Sequence, residues 1–239
     1  MYKIQKLIVA DVKNIKRDSL LILTILAPML LTIFLRFTIP YINILLYSRF
    51  KFNLSNYYNI IMGMSIMLIP MIVGCMAGFI LLEDKDENML DYFSITPLGK
   101  KGYILYRLCS PITISIIFSL MLFFFSNLLQ ISFVRVLFVI VVASLEGPII
   151  TLIMGSFAEN RVEGIAISKV IGIFFLLPIL IHLINFDYKW IFAVFPTYWI
   201  IEMINNGRGS GSIFLLYILV GLLTHIIYLL VLKKRFEYS

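Results

Sequence analysis

Charge is scarce in this chain: Asp, Glu, Lys and Arg supply 14% of its 239 residues, against ~25% in an average soluble domain. With 61% of residues hydrophobic, that scarcity excludes a water-soluble globular protein. Cysteine is nearly absent. Cys75 and Cys109 fall within or beside apolar segments, and two thiols so placed make neither a metal-ligand set nor a disulfide framework, which leaves packing. The two histidines, His182 and His225, lie on different apolar segments with no carboxylate-histidine cluster around them, so a metal centre is not expected. No G-x-x-x-x-G-K-[ST] phosphate loop occurs, and the glycine cluster Gly207-Arg208-Gly209-Ser210-Gly211 has no lysine in place, so the chain has no means of handling ATP itself. No Ser/His/Asp or Cys/His grouping stands out for nucleophilic catalysis. Room is lacking too, because the segments between apolar runs fall well short of the ~50 residues an independent soluble domain needs.

What is present is a series of apolar stretches, each close to the ~20 residues that cross a bilayer. They predict an all-α membrane protein, one transmembrane domain over 1–239, with six spans at about 19–40, 58–82, 108–129, 134–157, 164–185 and 212–232. The net charge is +7, but the basic residues are scattered at span ends. A membrane surface explains that pattern better than nucleic acid, which would need one large basic stripe and a folded module. The basic N-terminal lead is long, its apolar run is interrupted by Pro28 and no small-x-small cleavage site follows. A retained first span is therefore expected, not a removed signal peptide.

Basic residues close to span ends resist translocation and so set orientation. With the N-terminus inside, only Arg49, Lys51, Arg135, Lys189 and Arg208 fall in outer loops, and Arg36 lies near the outer end of the first span, where it is expected to snorkel to headgroups; all other Lys and Arg are inside. Both termini are thus expected in the cytoplasm, in a multi-pass cell-membrane protein. Trp190 to Met203 is too short for a seventh span and contains Pro196; as a span it would also put Lys233, Lys234 and Arg235 outside. Residues 188–204 read instead as short re-entrant helices in the outer leaflet, with Trp190, Tyr198 and Trp199 at the interface. The loop from Pro40 to Tyr58 suggests no chemistry.

Residues 1–17 place Ile4, Leu7, Ile8, Val12 and Ile15 at helical spacing, with Lys3, Lys6, Lys13, Lys16 and Arg17 on the other face. This is the pattern of an interfacial amphipathic helix, whose role is anchoring or the transmission of movement to the first span. The segment 83–107 between the second and third spans is the most informative. Acidic residues there precede Met89, Leu90, Tyr92 and Phe93, which favours a short helix whose negative N-terminal end matches its dipole. Thr96-Pro97 then stops it. Its apolar side chains would either dock into a groove on a partner protein or fold back onto the membrane surface.

In order and spacing this segment resembles the coupling-helix signature of type-2 ABC exporter permeases: acidic, any, Gly, Thr, Leu, acidic, any, Leu, any, any, Thr, Pro. Asp86 takes the acidic place, Glu87 the one after it, Leu90 the Leu, Asp91 the second acidic place, Phe93 the second Leu, and Thr96-Pro97 the closing pair. Two positions depart, with Asn88 standing for Gly and Met89 for Thr. Asn is the residue that best substitutes for Gly in left-handed geometry, so the turn can survive. The layout of interfacial helix, six spans, outer element near Phe195 to Trp199 and basic C-terminus is similar as well. A second patch, Leu145-Glu146-Gly147-Pro148 with Ala158 to Gly164 after it, resembles a bacterial antibiotic-export branch that includes fluoroquinolone-export permeases. The resemblance implies a transport subunit, not an enzyme, whose residues Asp86, Glu87, Leu90, Asp91, Phe93, Thr96 and Pro97 couple it to a separate ATPase. It also implies that this partner binds ATP and Mg, and that a second permease, identical or similar, completes the pathway.

Ionisable residues inside a bilayer are costly, at about 2.5–3.5 kcal/mol on insertion scales, and are functional candidates by default. Glu146 lies mid-way along the fourth span beside Gly147-Pro148, expected to kink that helix, and Lys169 lies just inside the fifth. Two readings stay open for them: a structural pair or a snorkelling Lys169, and a Glu146 that touches cargo or carries protons. Under the second, a self-contained secondary transporter or membrane enzyme becomes the rival function. The methionines of the second span, Met62, Met64, Met67, Met71 and Met76, suit either helix packing or an adaptable pathway lining.

Overall fold

The computed structural model describes residues 2–89, 92, 99–128, 131–184 and 189–238, and all regular structure among them is helical. Nine α-helices follow in order: α1 (Tyr2–Arg17), α2 (Ser19–Phe50), α3 (Tyr58–Asp86), α4 (Gly99–Ser126), α5 (Phe133–Ser144), α6 (Glu146–Phe157), α7 (Arg161–Ile184), α8 (Pro196–Asn205) and α9 (Gly211–Tyr238). Short 3₁₀ turns at Leu54–Tyr57 and Lys189–Val194 precede α3 and α8. Among the described residues, five segments are long and apolar enough to cross a membrane: Ser19–Phe50, Leu54–Asp86, Gly99–Ser126, Phe133–Phe157 and Gly211–Glu237. Helix α7 adds 24 residues, which at ~1.5 Å per residue exceeds a ~30 Å hydrocarbon core.

The helices divide into a centre and a periphery. The apolar stretch of α3 is 83% buried whereas those of α2, α4 and α9 are 22% buried, which makes α3 the hub and leaves the other three with wide apolar faces outward. Such faces suit lipid or another membrane helix. The most extensive packing is that of α3 on α6, and its cause is a stripe of small residues. A Cβ on Gly74 would lie 2.5 Å from the Gly147 carbonyl oxygen, and one on Gly78 would lie 2.6 Å from the Met154 sulfur. Without those side chains the backbones approach closely, as small-xxx-small pairs permit, and the Thr151 hydroxyl donates to the Gly74 carbonyl across the seam at 3.1 Å. Met62, Met67 and Met76 are buried around this hub.

Four expectations are adjusted by the structure. Helix α2 runs through Pro40 to Phe50, so most of the stretch read as a loop from Pro40 onward is helical; the chain turns only at Lys51, whose φ of 55° ends the helix in left-handed geometry. The fourth span is two helices, α5 and α6, broken at Leu145 one residue before Glu146. Pro148 has no N–H to offer the Ser144 carbonyl, which is why the ladder opens there. Arg36 donates to the Phe125 carbonyl at 3.0 Å and so ties α2 to the end of α4 instead of only reaching for headgroups. Of the element expected at 188–204, Lys189–Val194 and Pro196–Asn205 are helical, but Tyr198 is buried and Trp199 donates its indole N–H to the Ala193 carbonyl at 2.8 Å, while Trp190 stays exposed.

Candidate functional site

At one end of the bundle four helices are tied by two arginines. Arg107 of α4 is buried, and its Nη1 bonds both carboxylate oxygens of Asp11 on α1, at 2.9 and 2.8 Å, while Nη2 meets Asp84 of α3 at 2.5 Å. Tyr103 donates to the same Asp84 and accepts from Arg107 Nε at 2.9 Å, and Tyr106 donates to Asp11 at 2.7 Å. Arg161, the first residue of α7, bridges Asp18 and Glu83. Asp18 is also the N-cap of α2, accepting from the Leu20 N–H at 2.8 Å. Burial pushes the Asp18 carboxyl up, but the Arg161 guanidinium and the Leu20 N–H outweigh it and hold the carboxyl below its ordinary value. The neighbours Glu83 and Asp84, in the last turn of α3, therefore grip different partners: one holds α7 and the α1–α2 junction, the other α4 and α1.

Just beyond those two acids α3 stops. Glu87 donates its N–H to the Glu83 carbonyl at 3.0 Å, and Asn88 donates to the Lys85 carbonyl at 3.1 Å. Asn88 has φ 54°, the left-handed residue that closes a helix C-terminus and that Gly most often supplies. Met89 and Tyr92 are helical again, and the Tyr92 N–H points at the Asn88 carbonyl at 3.4 Å. Asp86 ends α3 and Glu87 caps it. Leu90, Asp91, Phe93, Thr96 and Pro97 lie outside the described residues.

Deeper in the bundle, α6, α7, the start of α8 and α9 enclose a half-open cavity of about 450 Å³, lined by Glu146, Ile149, Ile153, Phe157, Ile171, Phe174, Phe175, Phe195, Thr197 and Tyr228 among others. Glu146 is 1% exposed and Thr197 4%, yet neither Glu146 oxygen nor the Thr197 hydroxyl has a hydrogen-bond partner among the described residues. Lys169 does not supply one. It is exposed and lines another cavity, with Met64, Met67 and Met71, so a Glu146–Lys169 pair is not formed. The physical reason is the break at Leu145, which starts α6 with Glu146 facing the α7–α8–α9 side, while Lys169 faces α3.

Residues 11–233 match the family described as fluoroquinolones export permease protein Rv2686c-like. The chain belongs to this Rv2686c-like family. Two relatives from Mycobacterium tuberculosis carry the same description: the fluoroquinolones export permease proteins MT2760 of strain CDC 1551 and Rv2686c of strain H37Rv. Each is 26% identical to this chain over 230 residues, covering 95% of the chain and 91% of the relative. No solved structure matches the chain.

For this member of the Rv2686c-like family, sequence reasoning singles out Asp86, Glu87, Glu146 and Lys169 as candidates but misses the clamps. In the sequence Arg107 reads only as an inside charge, and Arg161 as an inside charge within the Ala158–Gly164 patch. A signal was available: Asp11, Asp18, Glu83 and Asp84 are acids close to span ends, where an apolar chain has little other use for them. Among the described residues no group of three or more His, Cys, Asp and Glu could hold a metal ion.

Proposed function

We propose that this chain is the membrane-spanning permease subunit of an ATP-driven exporter and that it releases a hydrophobic or amphipathic antibiotic-like compound through the cell membrane. Six spans, with α7 as the fifth, carry it, both termini face the cytoplasm, and two permeases pair around the path. A separate ATPase binds ATP and Mg and grips residues 86–97. The naming of its relatives as fluoroquinolones export permease proteins supports the cargo class. The observation that carries the coupling reading is Asn88: its left-handed backbone stands where the resembling signature has Gly, between the end of a membrane helix and renewed helical residues.

The arginine clamps give that grip a mechanical path. A pull on residues 86–97 acts first on the last turn of α3, and Glu83 and Asp84 pass it to α7, to α4 and to the interfacial helix α1. Those helices then move together between two arrangements of the paired permeases, as a rigid-body switch requires. The orientation is supported by the gathering of Asp11, Asp84, Arg107 and Arg161 at one end, since the charge rule assigns all of these segments to the cytoplasm. A self-contained transporter working through a Glu146–Lys169 relay is disfavoured because the two residues line different cavities.

The test is association. An affinity-tagged permease purified from its native membrane should retain a phosphate-loop ATPase, and Leu90→Asp with Phe93→Asp should abolish that retention while leaving the permease in the membrane. Unchanged ATPase retention by the double variant would refute the coupling reading.

A further inference from the structure

We infer that the cavity between α6, α7, α8 and α9 is a binding site for a lipophilic amine, with Glu146 as its anchor. The inference deepens the export reading and rests on it for biological sense, though the site itself is argued from geometry alone. Among the described residues two buried carboxylates lie deep in the bundle, and they are treated differently. Glu202, 5% exposed, is paired: Lys189 lies 3.6 Å away, and the Asn206 amide donates to it at 3.1 Å. Glu146, 1% exposed, is given nothing. A buried polar group without a partner costs about 1–3 kcal/mol, more for a charged one, so an unpartnered carboxylate in the wall of a cavity stands to gain from a donor that enters and that its side chain can turn to meet.

The rest of the lining says what enters. Phe174, Phe175, Phe195 and Tyr228 present rings, and Thr197 adds one unpartnered hydroxyl near the start of α8. Water is a poor occupant, since an ordered one needs 2–4 polar partners and the wall is otherwise apolar. An acyl chain would fill the volume but leave Glu146 as it is. An ammonium group donates to a carboxylate and carries the complementary charge, and aromatic rings around it favour a cation further. The volume of about 450 Å³ falls within the ~300–1,000 Å³ of small-molecule sites. The matching ligand has an aromatic or aliphatic body and one amine, and it enters through the side where Val170 and Phe174 are half exposed, at 52% and 49%.

Two probes that differ only in the amine test this on the full-length permease in lipid nanodiscs, without the ATPase. One is dansylcadaverine, with a free terminal amine; the other is N-pentyl dansylamide, the same body ending in a methyl group. Fluorescence titration should show the amine binding tighter, by about ten- to a hundredfold, the range of a charge-assisted hydrogen bond. Glu146→Gln should remove that difference while the neutral probe binds as before, and Val170→Trp, which fills the open rim, should weaken both. Equal binding of the two probes by the natural protein would overturn the assignment, as would a preference for the amine that survives Glu146→Gln in a folded, monodisperse sample. Because no ATPase is present, such a failure leaves the coupling reading untouched, and a failed ATPase pull-down leaves this one untouched.

Discussion

Asp18 shows how much one side chain does here: it caps α2, receives Arg161 and sits where the interfacial helix hands over to the first long helix. Its carboxyl is held below the ordinary value, so the stability it adds is present above that value and is lost as pH falls through the lowered one. Asp18→Ala should therefore destabilise the protein at neutral pH, by about 0.5–2 kcal/mol for the lost cap, and should leave it less sensitive to acid than the natural chain, as read by thermal unfolding in detergent across pH. Arg107 is the more severe site, because Asp11 and Asp84 both depend on it in a buried setting. Arg107→Leu strands two carboxylates, and breaking a buried pair from one side costs about 3–5 kcal/mol; a lowered unfolding midpoint with loss of ATP-driven export is expected. These contacts were illegible in the sequence because Asp11 and Arg107 are far apart in the chain, and nothing short of the fold brings them together.

Among the elements, the α3 exit and the α3–α6 seam carry the sharpest expectations. Left-handed geometry is open to Asn at small cost and to a β-branched residue only at roughly 1–2 kcal/mol. Asn88→Gly should keep the ATPase bound and Asn88→Val should weaken its retention, measured by co-purification at matched membrane levels. Gly74→Ala places a methyl against the Gly147 carbonyl oxygen at 2.5 Å, where neither backbone can yield without parting the helices. A loss of about 1–3 kcal/mol is expected from that overpacking, read as a lower unfolding midpoint. Helix existence was legible in advance, since runs of apolar residues near bilayer length leave few alternatives. The α5–α6 break was foreseen in cause, from Pro148, and misjudged by a turn's fraction in place. The extension of α2 past Pro40 was not legible, because a proline tolerated inside a long apolar helix looks the same in sequence as one that ends it.

The whole molecule is a hub of α3 and α6 with peripheral helices that leave broad apolar faces, clamped by arginines at one end and hollowed beside Glu146. The sequence carried the all-helical membrane class and the likeness to export permeases, because each depends on composition or on local spacing. It could not carry the cavity, which depends on how four successive helices pack around one another, or the separation of Glu146 from Lys169, which depends on which way α6 faces. If energy comes from a borrowed ATPase, transport must require it. The decisive measurement is uptake of a fluoroquinolone into inside-out proteoliposomes holding the permease with or without the proposed ATPase partner. Uptake that needs both the ATPase and ATP, and that persists when the proton gradient is collapsed, is the predicted result; uptake by the permease alone, driven by a proton gradient, would contradict it.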